Sequence, residues 1–384
     1  MKRTWFAPAV VATTMALALP AACASATSQP SRELRPAATR PAYTVQPVAS
    51  GLDIPWDMTW IGGLMLFDER PGRVWSQRDG QAPQRVTLPL PPLLVNSEGG
   101  LLGIVADPRA TENGYFYTCQ SVADSSGAAK DIEVWKWRLT SDTTADKVAV
   151  LVKGIPIGYG RHNGCRLVFR SERMLYIGTG DAAQGKNPQN LKSLGGKVLR
   201  VRSDGTIPTS NPFYRKGGNA RYVWSYGHRN IQGLVVRPGT NQLWSAEHGP
   251  DRDDEINLVT KGSNAGWNPV PGYNEAVPMT DLKKYPKATK ARWKSGKPTV
   301  ATSGATFLTG KRWGAWDGAM VVAMLKGQGI LVFSVDSRSR LKKVATIVTD
   351  HGRIRSVHPG PDGSLYFTTS NGSTDGVYRL VPQG

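Results

Sequence analysis

The sequence predicts an all-β fold, a six-bladed β-propeller of four-stranded antiparallel sheets. Short apolar strands begin at irregular intervals of roughly 45 to 77 residues, a spacing typical of propeller blades. The chain has 384 residues, and its 42 Gly and 27 Pro lie largely in turns between such strands. No sustained helical periodicity occurs. Radial repetition protects the edges of many short strands, which favours a propeller over the alternative, a β-sandwich.

Each predicted blade contains a turn with Gly or Asn, an apolar strand and a second strand of alternating residues. The six strand pairs are 63–67 with 72–75, 114–117 with 132–135, 174–177 with 198–201, 242–245 with 255–258, 319–322 with 330–333, and 364–367 with 377–380. Residues 45–384 are therefore predicted to form a single propeller domain. The long insertions between the third, fourth and fifth pairs are expected to form loops on one face, where propellers build binding sites.

Residues 1–26 have the pattern of an export signal. Two basic residues precede an apolar stretch at 5–22, and small residues follow it. The remaining apolar runs are too short to span a bilayer. Residues 27–44 are rich in Ser, Pro, Ala and Arg, a composition that predicts a disordered linker.

Two cleavage sites fit this segment, and both alternatives remain open. Residues 24–26 suit ordinary signal peptidase, whereas residues 19–23 resemble a bacterial lipobox with Pro20 where Leu is usual. We therefore expect an exported protein, secreted, periplasmic or at the cell surface. Contact with a membrane is expected only through a lipid anchor at Cys23.

Two cysteines, Cys119 and Cys165, follow both cleavage sites. An exported protein can form a disulfide, but both residues lie in apolar, strand-like runs. This context favours two buried thiols over a disulfide. No CxxC pair or His/Cys spacing typical of a zinc site occurs.

The formal net charge of +19 does not by itself indicate a nucleic-acid partner. The basic residues are scattered through strand-like segments, and no aromatic/basic module is visible. Such a charge is compatible with an ordinary basic secreted protein or with an electropositive cavity for a small polyanion. The arginines described below favour the cavity.

His162 is the candidate general base. It is one of only five histidines and lies in a Gly-flanked loop before a predicted strand. A neutral imidazole can take a proton from an alcohol near pH 7. Asp181, at the end of the next strand, is placed to orient the ring. A structural or exposed histidine is the alternative.

Four cationic side chains are candidates for binding an anion: Arg229, Lys326, Arg353 and Arg355. The last two are separated by one residue, so on a strand both would face the same side. Converging on a tricarboxylate, the four would form charge-assisted and bidentate hydrogen bonds. A solvated strand face is the alternative.

The segment after the fourth predicted blade strand indicates a calcium site. Gly249 and Pro250 allow backbone carbonyls to approach an ion. Asp253, Asp254 and Glu255 offer oxygen ligands of the kind that calcium takes. An acidic loop in solvent is the alternative.

Ordered strings over residues 46–382 carry a resemblance to a known family. They are 55–56 (PW), 69–74 (ERPGRV), 98–104 (EGGLLGI), 162–167 (HNGCRL), 180–181 (GD), 196–200 (GKVLR), 211–213 (NPF), 226–233 (YGHRNIQG), 247–250 (EHGP), 254–257 (DEIN), 352–355 (GRIR) and 360–366 (GPDGSLY). Together they resemble the PQQ-dependent soluble sugar dehydrogenases, the glucose/sorbosone dehydrogenase family. The family fold is a six-bladed propeller, in agreement with the strand pairs.

The resemblance implies PQQ and calcium as cofactors. His162 matches the catalytic base, and Asp181 matches the carboxylate beside it. Arg229 and Asn230 match contacts to PQQ, with Arg229 near the reactive carbonyl. Glu98 also matches a cofactor-side position, where the glucose-oxidising members carry Gln.

Further roles follow from the same resemblance. Three cations match residues that bind the PQQ carboxylates: Lys326, Arg353 and Arg355. Four residues match calcium ligands: Gly249, Pro250, Glu255 and Ala265. The first two would bind the ion at the cofactor through their backbone, and Glu255 would bind a structural ion. Ala265 stands where the family often has Tyr and would act through its carbonyl.

The sequence thus predicts a PQQ- and calcium-dependent dehydrogenase that oxidises an aldose or related sugar at its anomeric carbon to a lactone. A small sugar and an external electron acceptor are the expected partners. Ala182, Ala183, Asn268 and Ser370 depart from the family pattern. They motivate the alternative, a non-catalytic surface propeller that binds a glycan or a partner protein. A third alternative, a calcium-dependent lactonase, is less favoured because it would leave Arg353 and Arg355 without a role.

Overall fold

The computed structural model describes residues 40–170 and 173–383, together with Met1. The predicted signal segment, apart from Met1, and most of the predicted linker lie outside the described residues. Strand β1 begins at Tyr43, slightly before the predicted start of the propeller at Val45. None of the described helices is long and apolar enough to cross a membrane.

The described residues form six four-stranded antiparallel sheets, which confirms the predicted fold class. The first three sheets contain β2 (Pro55–Ile61), β3 (Leu64–Glu69), β4 (Arg73–Arg78) and β5 (Gln84–Val86); β6 (Leu101–Ala106), β7 (Tyr115–Ala123), β8 (Ala129–Ser141) and β9 (Thr144–Ile155); and β10 (Gly164–Arg170), β11 (Met174–Thr179), β12 (Lys197–Arg202) and β13 (Val223–Tyr226). The next two contain β14 (Ile231–Val236), β15 (Leu243–Glu247), β16 (Glu255–Val259) and β17 (Trp293–Lys294); and β18 (Thr302–Phe307), β19 (Met320–Met324), β20 (Gly329–Val335) and β21 (Leu341–Ile347). The sixth contains β1 (Tyr43–Leu52), β22 (Ile354–Pro359), β23 (Leu365–Thr369) and β24 (Asp375–Pro382).

Helical structure is minor in the described part of the chain. It comprises α1 (Ala110–Asn113) and three 3₁₀ segments at Tyr214–Lys216, Gly218–Tyr222 and Lys311–Trp316. The six predicted strand pairs correspond to the second and third strands of each sheet, or β23 and β24 in the sixth. In that sheet β1 pairs with β24, so the N-terminal strand completes the last blade and closes the ring.

The inner strands β2, β6, β10, β14, β18 and β22 adjoin one another around the axis. Glycine permits close approach at two of these contacts. A Cβ would lie 2.3 Å from the Cys165 carbonyl oxygen at Gly103 and 2.4 Å from the Ser303 carbonyl oxygen at Gly233. Each inner strand also has a register irregularity near its beginning. Such bulges re-aim side chains, and all six lie at the same end of the ring.

Cys119 and Cys165 form a disulfide, so the prediction of two buried thiols was wrong. Both residues are fully buried, as predicted, but their Cα atoms are only 5.6 Å apart. The reason is the close packing of β6 and β10 at Gly103, which pairs with Cys119 and touches the Cys165 backbone. The bond joins two neighbouring blades beside the loop that carries His162.

We expect this disulfide to stabilise the propeller. Its sequence separation of 46 corresponds to a loss of unfolded-state entropy worth roughly 4 kcal/mol in the chain-entropy model. The double variant Cys119→Ala/Cys165→Ala should therefore lower the free energy of unfolding by about 2–4 kcal/mol in guanidinium titrations. Wild-type protein with dithiothreitol is the control and should show a similar loss. Equal stability of the variant and the oxidised wild type would contradict the prediction.

Candidate active site

His162 lies in a loop whose backbone is held in the left-handed region. The φ angle is +55° at His162, +64° at Gly164 and +76° at Cys165. Gly180 faces the loop so closely that a Cβ there would lie 1.7 Å from the His162 carbonyl oxygen. Unfavourable backbone angles of this kind cluster at functional sites, because surrounding contacts must enforce them. The loop is thus fixed against the end of β11, where Asp181 follows Gly180.

Asp181 orients the His162 imidazole and is itself fully hydrogen-bonded. Its Oδ1 lies 2.9 Å from His162 Nδ1 and accepts the backbone N–H of Ala183 at 2.8 Å. Its Oδ2 accepts the indole N–H of Trp267 and the hydroxyl of Tyr273, both at 2.8 Å. Because the carboxylate oxygens of Asp181 act as acceptors in its other three hydrogen bonds, we assign a hydrogen to His162 Nδ1, where it donates to Asp181 Oδ1. Nε2 is then the proton acceptor, as a general base requires.

Three side chains of this site were not predicted from the sequence: Trp267, Tyr273 and Glu275. They come from the irregular segment 260–292 between β16 and β17. Tyr273 Oη lies 2.9 Å from His162 Nδ1, and Glu275 Oε1 lies 2.5 Å from Arg229 Nη2. The sequence signal was the length of the insertion alone. It predicted a loop on the face of the site but not which residues reach inward.

Arg229 is buried beside this base. Its guanidinium donates to the His248 carbonyl at 3.1 Å and forms the ion pair with Glu275, whose side chain is 41% exposed. The guanidinium also lies over the Trp267 ring, 5.7 Å from the centroid. Arg229 Nε is buried and has no hydrogen-bond partner within the described residues. A polar group left in this way is available to a ligand.

Glu98 and Asn230 hold the loops of the site together. Glu98 Oε2 accepts the backbone N–H of His162 at 2.9 Å and the Asn230 amide at 3.4 Å. Asn230 Oδ1 accepts the Gly164 backbone N–H and the Gln232 amide, each at 3.1 Å. Both residues therefore link the beginnings of β6, β10 and β14. Their predicted contacts to a cofactor stay predictions.

Arg353 and Arg355 meet at Ser370, although not through the strand geometry expected. Only Arg355 lies within β22, at its bulge, and Arg353 precedes the strand. Arg353 Nε donates to the Ser370 carbonyl at 3.1 Å, while Arg355 Nη2 donates to its hydroxyl at 3.4 Å. Arg353 is exposed and Arg355 is buried. Ser370 is uncharged, so it contacts both arginines without neutralising either.

Arg355 is the centre of an unneutralised positive region. Its guanidinium stacks on Trp56, 3.9 Å from the ring centroid, and its Nε is buried without a hydrogen-bond partner in the described part of the chain. Burial, together with the charges of Arg166 and Arg353, lowers the pKa of Arg355 to about 9, and Glu98 opposes this only in part. No ion pair to Arg355 occurs in the described part of the chain. The site is therefore suited to a small polyanion.

Lys326 lies in the turn after β19, where that strand reaches the same face. It is exposed, and no ion pair to it occurs within residues 40–170 and 173–383. The structure thus places Lys326 on the predicted face without a contact to Arg353 or Arg355. Its role as a carboxylate ligand stays a prediction.

The predicted calcium ligands lie next to Arg229 but do not form a carboxylate cage. Asp254 accepts the backbone N–H of Gly249 at 2.8 Å and those of Val300 and Ala301 at 2.7 and 2.6 Å. Glu255 Oε1 lies 2.9 Å from Lys294 Nζ. In the described residues no group of three or more His, Cys, Asp or Glu side chains could hold a metal ion. Backbone oxygens remain the candidate ligands here.

The other three predicted ligands lie in closely packed backbone. A Cβ at Gly249 would lie 2.1 Å from the Arg252 carbonyl oxygen, so only glycine fits this turn. Pro250 follows in the same turn. Ala265 is buried, and its backbone N–H donates to the Tyr226 carbonyl at 2.8 Å. Whether these carbonyl groups bind calcium stays a prediction.

Comparisons with known proteins agree with this geometry. The model of the glucose/sorbosone dehydrogenase family matches residues 52–379. Aldose sugar dehydrogenase YliI of Escherichia coli K12 is 32% identical over 355 residues, which cover 88% of this chain and 93% of that protein. The solved structure of the apo-form soluble aldose sugar dehydrogenase from Escherichia coli has a TM-score of 0.80 at 29% identity, covering 89% of this chain and 100% of that chain. The PQQ-bound aldose sugar dehydrogenase from Streptomyces coelicolor has a TM-score of 0.72 at 26% identity, covering 90% and 100%.

Fold and site define a β-propeller enzyme with a His–Asp pair beside a cationic pocket. The chain belongs to the glucose/sorbosone dehydrogenase family and is an oxidoreductase. This result confirms the family resemblance predicted from the ordered sequence strings. It also decides against the alternative of a non-catalytic propeller.

Lys197 supports the loop that carries Asp181. It is completely buried, and its Nζ donates to the carbonyls of Asn187, Pro188 and Gly195 at 2.7, 3.0 and 2.6 Å. Burial lowers the pKa of Lys197 to about 7, against the attraction of Asp181. Between pH 7 and the ordinary lysine pKa, Lys197 is therefore protonated in the unfolded chain but neutral in the folded protein. Lys197 weakens the fold most below pH 7, and this effect is lost as the pH rises.

A comparison with Lys197→Met should show this linkage. The difference in unfolding free energy, wild type minus variant, should increase by roughly 1.4 kcal/mol per pH unit between pH 7 and 9. Guanidinium titrations of both proteins at three pH values measure it. Lys192→Met removes an exposed lysine from the same loop and should show no such slope. A pH-independent difference for Lys197→Met would mean that the buried ammonium keeps its charge.

Proposed function

We propose that this chain is a PQQ- and calcium-dependent dehydrogenase that oxidises an aldose or related sugar at the anomeric carbon to a lactone. The observation that carries the proposal is the juxtaposition of two groups. His162 is oriented by Asp181 through Nδ1, and the buried Arg355, which like His162 lies within electrostatic range of His248, forms no ion pair within the described residues. A base for an alcohol and a pocket for a polyanion are what such an oxidation requires.

The described residues fit PQQ, a tricarboxylate quinone. Arg229 and Arg355 both have a buried Nε without a partner, so each can donate to an anionic ligand. Arg353 and Lys326 are exposed and lie on the same face. When bound, PQQ would supply the quinone that accepts the hydride from the sugar carbon. The PQQ-bound relative from Streptomyces coelicolor supports this assignment.

The protein side of the reaction is a proton transfer at a fixed position. His162 Nε2 would accept the hydroxyl proton of the anomeric C–OH group. Asp181 would stabilise the resulting imidazolium, because its carboxylate lies 2.9 Å from Nδ1. Arg229 would stabilise negative charge on the hydride acceptor, since its guanidinium is buried and its Nε has no partner within the described residues.

Calcium fits this site through backbone oxygens. The turn at Gly249 and Pro250 is tied to Arg229, because Arg229 Nη1 donates to the carbonyl of the preceding His248. Carbonyl oxygens there are hard ligands of the kind that calcium takes, and PQQ oxygens would complete the set. Glu255 is already paired with Lys294, so a second, structural ion would require that pair to open.

His162→Ala tests the assignment of the base. Turnover should fall by roughly 10² to 10⁴-fold, the usual contribution of a general base. PQQ should still bind, because the imidazole acts on the substrate proton. Apo protein reconstituted with PQQ and Ca²⁺, assayed by dye reduction over an aldose panel, gives turnover, and titration gives affinity. Loss of PQQ binding with unchanged turnover at saturating cofactor would refute the assigned role.

The two arginines should differ in their contribution to PQQ binding. Arg355 is buried, and its loss removes a charge-assisted hydrogen bond worth about 1.5–3 kcal/mol, or one to two decades in Kd. Arg353 is exposed, so solvent screening should limit the loss in Arg353→Ala to less than about tenfold. Titrating the apo variants with PQQ at fixed Ca²⁺ measures both.

Arg338→Ala is the matched control, because Arg338 is exposed in the turn between β20 and β21, on the opposite face. Its Kd for PQQ should equal that of the wild type. Turnover at saturating PQQ should change little in all three variants. An unchanged Kd in Arg355→Ala would remove the arginine pocket as the cofactor site.

A further inference from the structure

A second cavity lies on the face opposite to the candidate active site, at the seam between the sixth and the first sheet. Its volume is about 570 Å³, within the usual range of small-molecule sites. One wall comes from β1, β24 and the turn after β22, and the other from β2 to β4 and the turn after β4. His162 and Arg229 precede inner strands, whereas Trp60 lies near the end of β2. The two sites are therefore separated by the length of the inner strands.

Gln77 lines this cavity and carries a buried acceptor. Its side-chain amide donates to the carbonyls of Val48 and Gln81 at 3.1 and 2.8 Å, which fixes the orientation of the amide. Oε1 is buried, and no donor to it occurs in the described part of the chain. The residue is only 8% exposed. An unpaired buried acceptor is unfavourable, and a ligand hydroxyl would satisfy it.

Aromatic side chains form a second component of the cavity. The rings of Trp60 and Tyr366 lie 5.1 Å apart at 70°. Trp60 is half-buried and so presents part of its indole to the cavity, beside the apolar Pro47 and Met65. Burial and the nearby Asp362 raise the pKa of Tyr366, so its hydroxyl stays a donor. Such amphipathic rings suit ligands with both apolar and polar faces.

The charged groups of the cavity are already paired with one another. Arg379 is bonded to Asp362 and lies 3.8 Å from Asp79. Arg78 forms two hydrogen bonds to Asp142, at 2.7 and 2.9 Å. No unpaired charge is therefore left to select an ion. Amide, phenol and carboxylate oxygens remain, and all of them can accept hydroxyl hydrogens.

We propose that this cavity binds a neutral saccharide, at a site separate from the catalytic centre. The apolar face of a pyranose ring would pack against Trp60 and Met65. One of its hydroxyl groups would donate to Gln77 Oε1, and others would bond to Asp79 or Tyr366. The inference is independent of the proposed reaction, because it uses no residue of the active site.

Cofactor-free full-length protein, prepared with a chelator, provides the test. Saturation-transfer NMR and calorimetry are performed with D-glucose, D-galactose, maltose and cellobiose, and with glycerol as a small polyol. At least one saccharide should bind in preference to glycerol. Trp60→Ala should weaken this binding by about tenfold or more, because the ring wall is lost. Gly63→Trp should have the same effect by filling the cavity edge, where a Cβ would meet no atom within 4 Å.

His162→Ala is the matched control and should bind the saccharide as the wild type does. Absence of saturation transfer from the wild type to any of the four saccharides would overturn the proposal. So would wild-type affinity in both Trp60→Ala and Gly63→Trp, or glycerol binding as tight as that of the sugars. Loss of binding in His162→Ala would place the sugar in the active site instead. A failure of PQQ-dependent turnover would leave these measurements unaffected.

Discussion

The side chain of Arg166 joins four of the six inner strands at the propeller axis, directly beneath the candidate active site. From β10, its Nη1 lies 2.7 Å from Asp57 in β2 and donates to Ser356 in β22 at 2.8 Å. Its Nε donates to the Gln232 carbonyl in β14 at 2.9 Å. Burial raises the pKa of Asp57, but Arg166 and His358 outweigh it, so the carboxylate stays ionised. Removing one partner would leave the other charge buried and unpaired, which makes this contact a strong constraint on strand spacing.

The cationic pocket lies beside this contact, because the charge of Arg166 acts on Arg355. Asp57 is occupied by Arg166 and by His358, whose Nε2 lies 2.5 Å away. Arg355, one strand position from Ser356, has neutral hydrogen-bond partners within the described residues, Gln232 Oε1 at 3.3 Å and the Ser370 hydroxyl. A carboxylate at position 370 would neutralise this guanidinium, and serine does not.

Local pattern predicted the fold well, because a propeller repeats a short unit whose strands are visible in sequence. The same strand pattern also predicted that His162 and Asp181 lie close together, because they flank the hairpin of β10 and β11. Contacts between distant segments were not predictable in this way. Tyr273 and Trp267 reach Asp181 from an insertion without periodicity. Cys119 and Cys165 meet where the inner strands pack closely at Gly103. The bulge in β22 leaves Arg353 exposed and Arg355 buried, although the two are separated by a single residue.

The His162–Asp181 side and the Arg355 side of the candidate site differ in how many of their polar atoms are hydrogen-bonded by the protein itself. Asp181 receives four hydrogen bonds from the chain itself, so the imidazole is held before any substrate arrives. Arg355 has a depressed pKa and an unpaired Nε, so that half is unfavourable until an anion binds. A ligand that binds only the folded state at about 100 times its Kd adds roughly 2.7 kcal/mol to stability. Rigidity at the base and unsatisfied charge at the pocket are therefore complementary. In the proposed reaction the first would fix where a proton is removed, and the second would make binding of the polyanion part of what stabilises the fold.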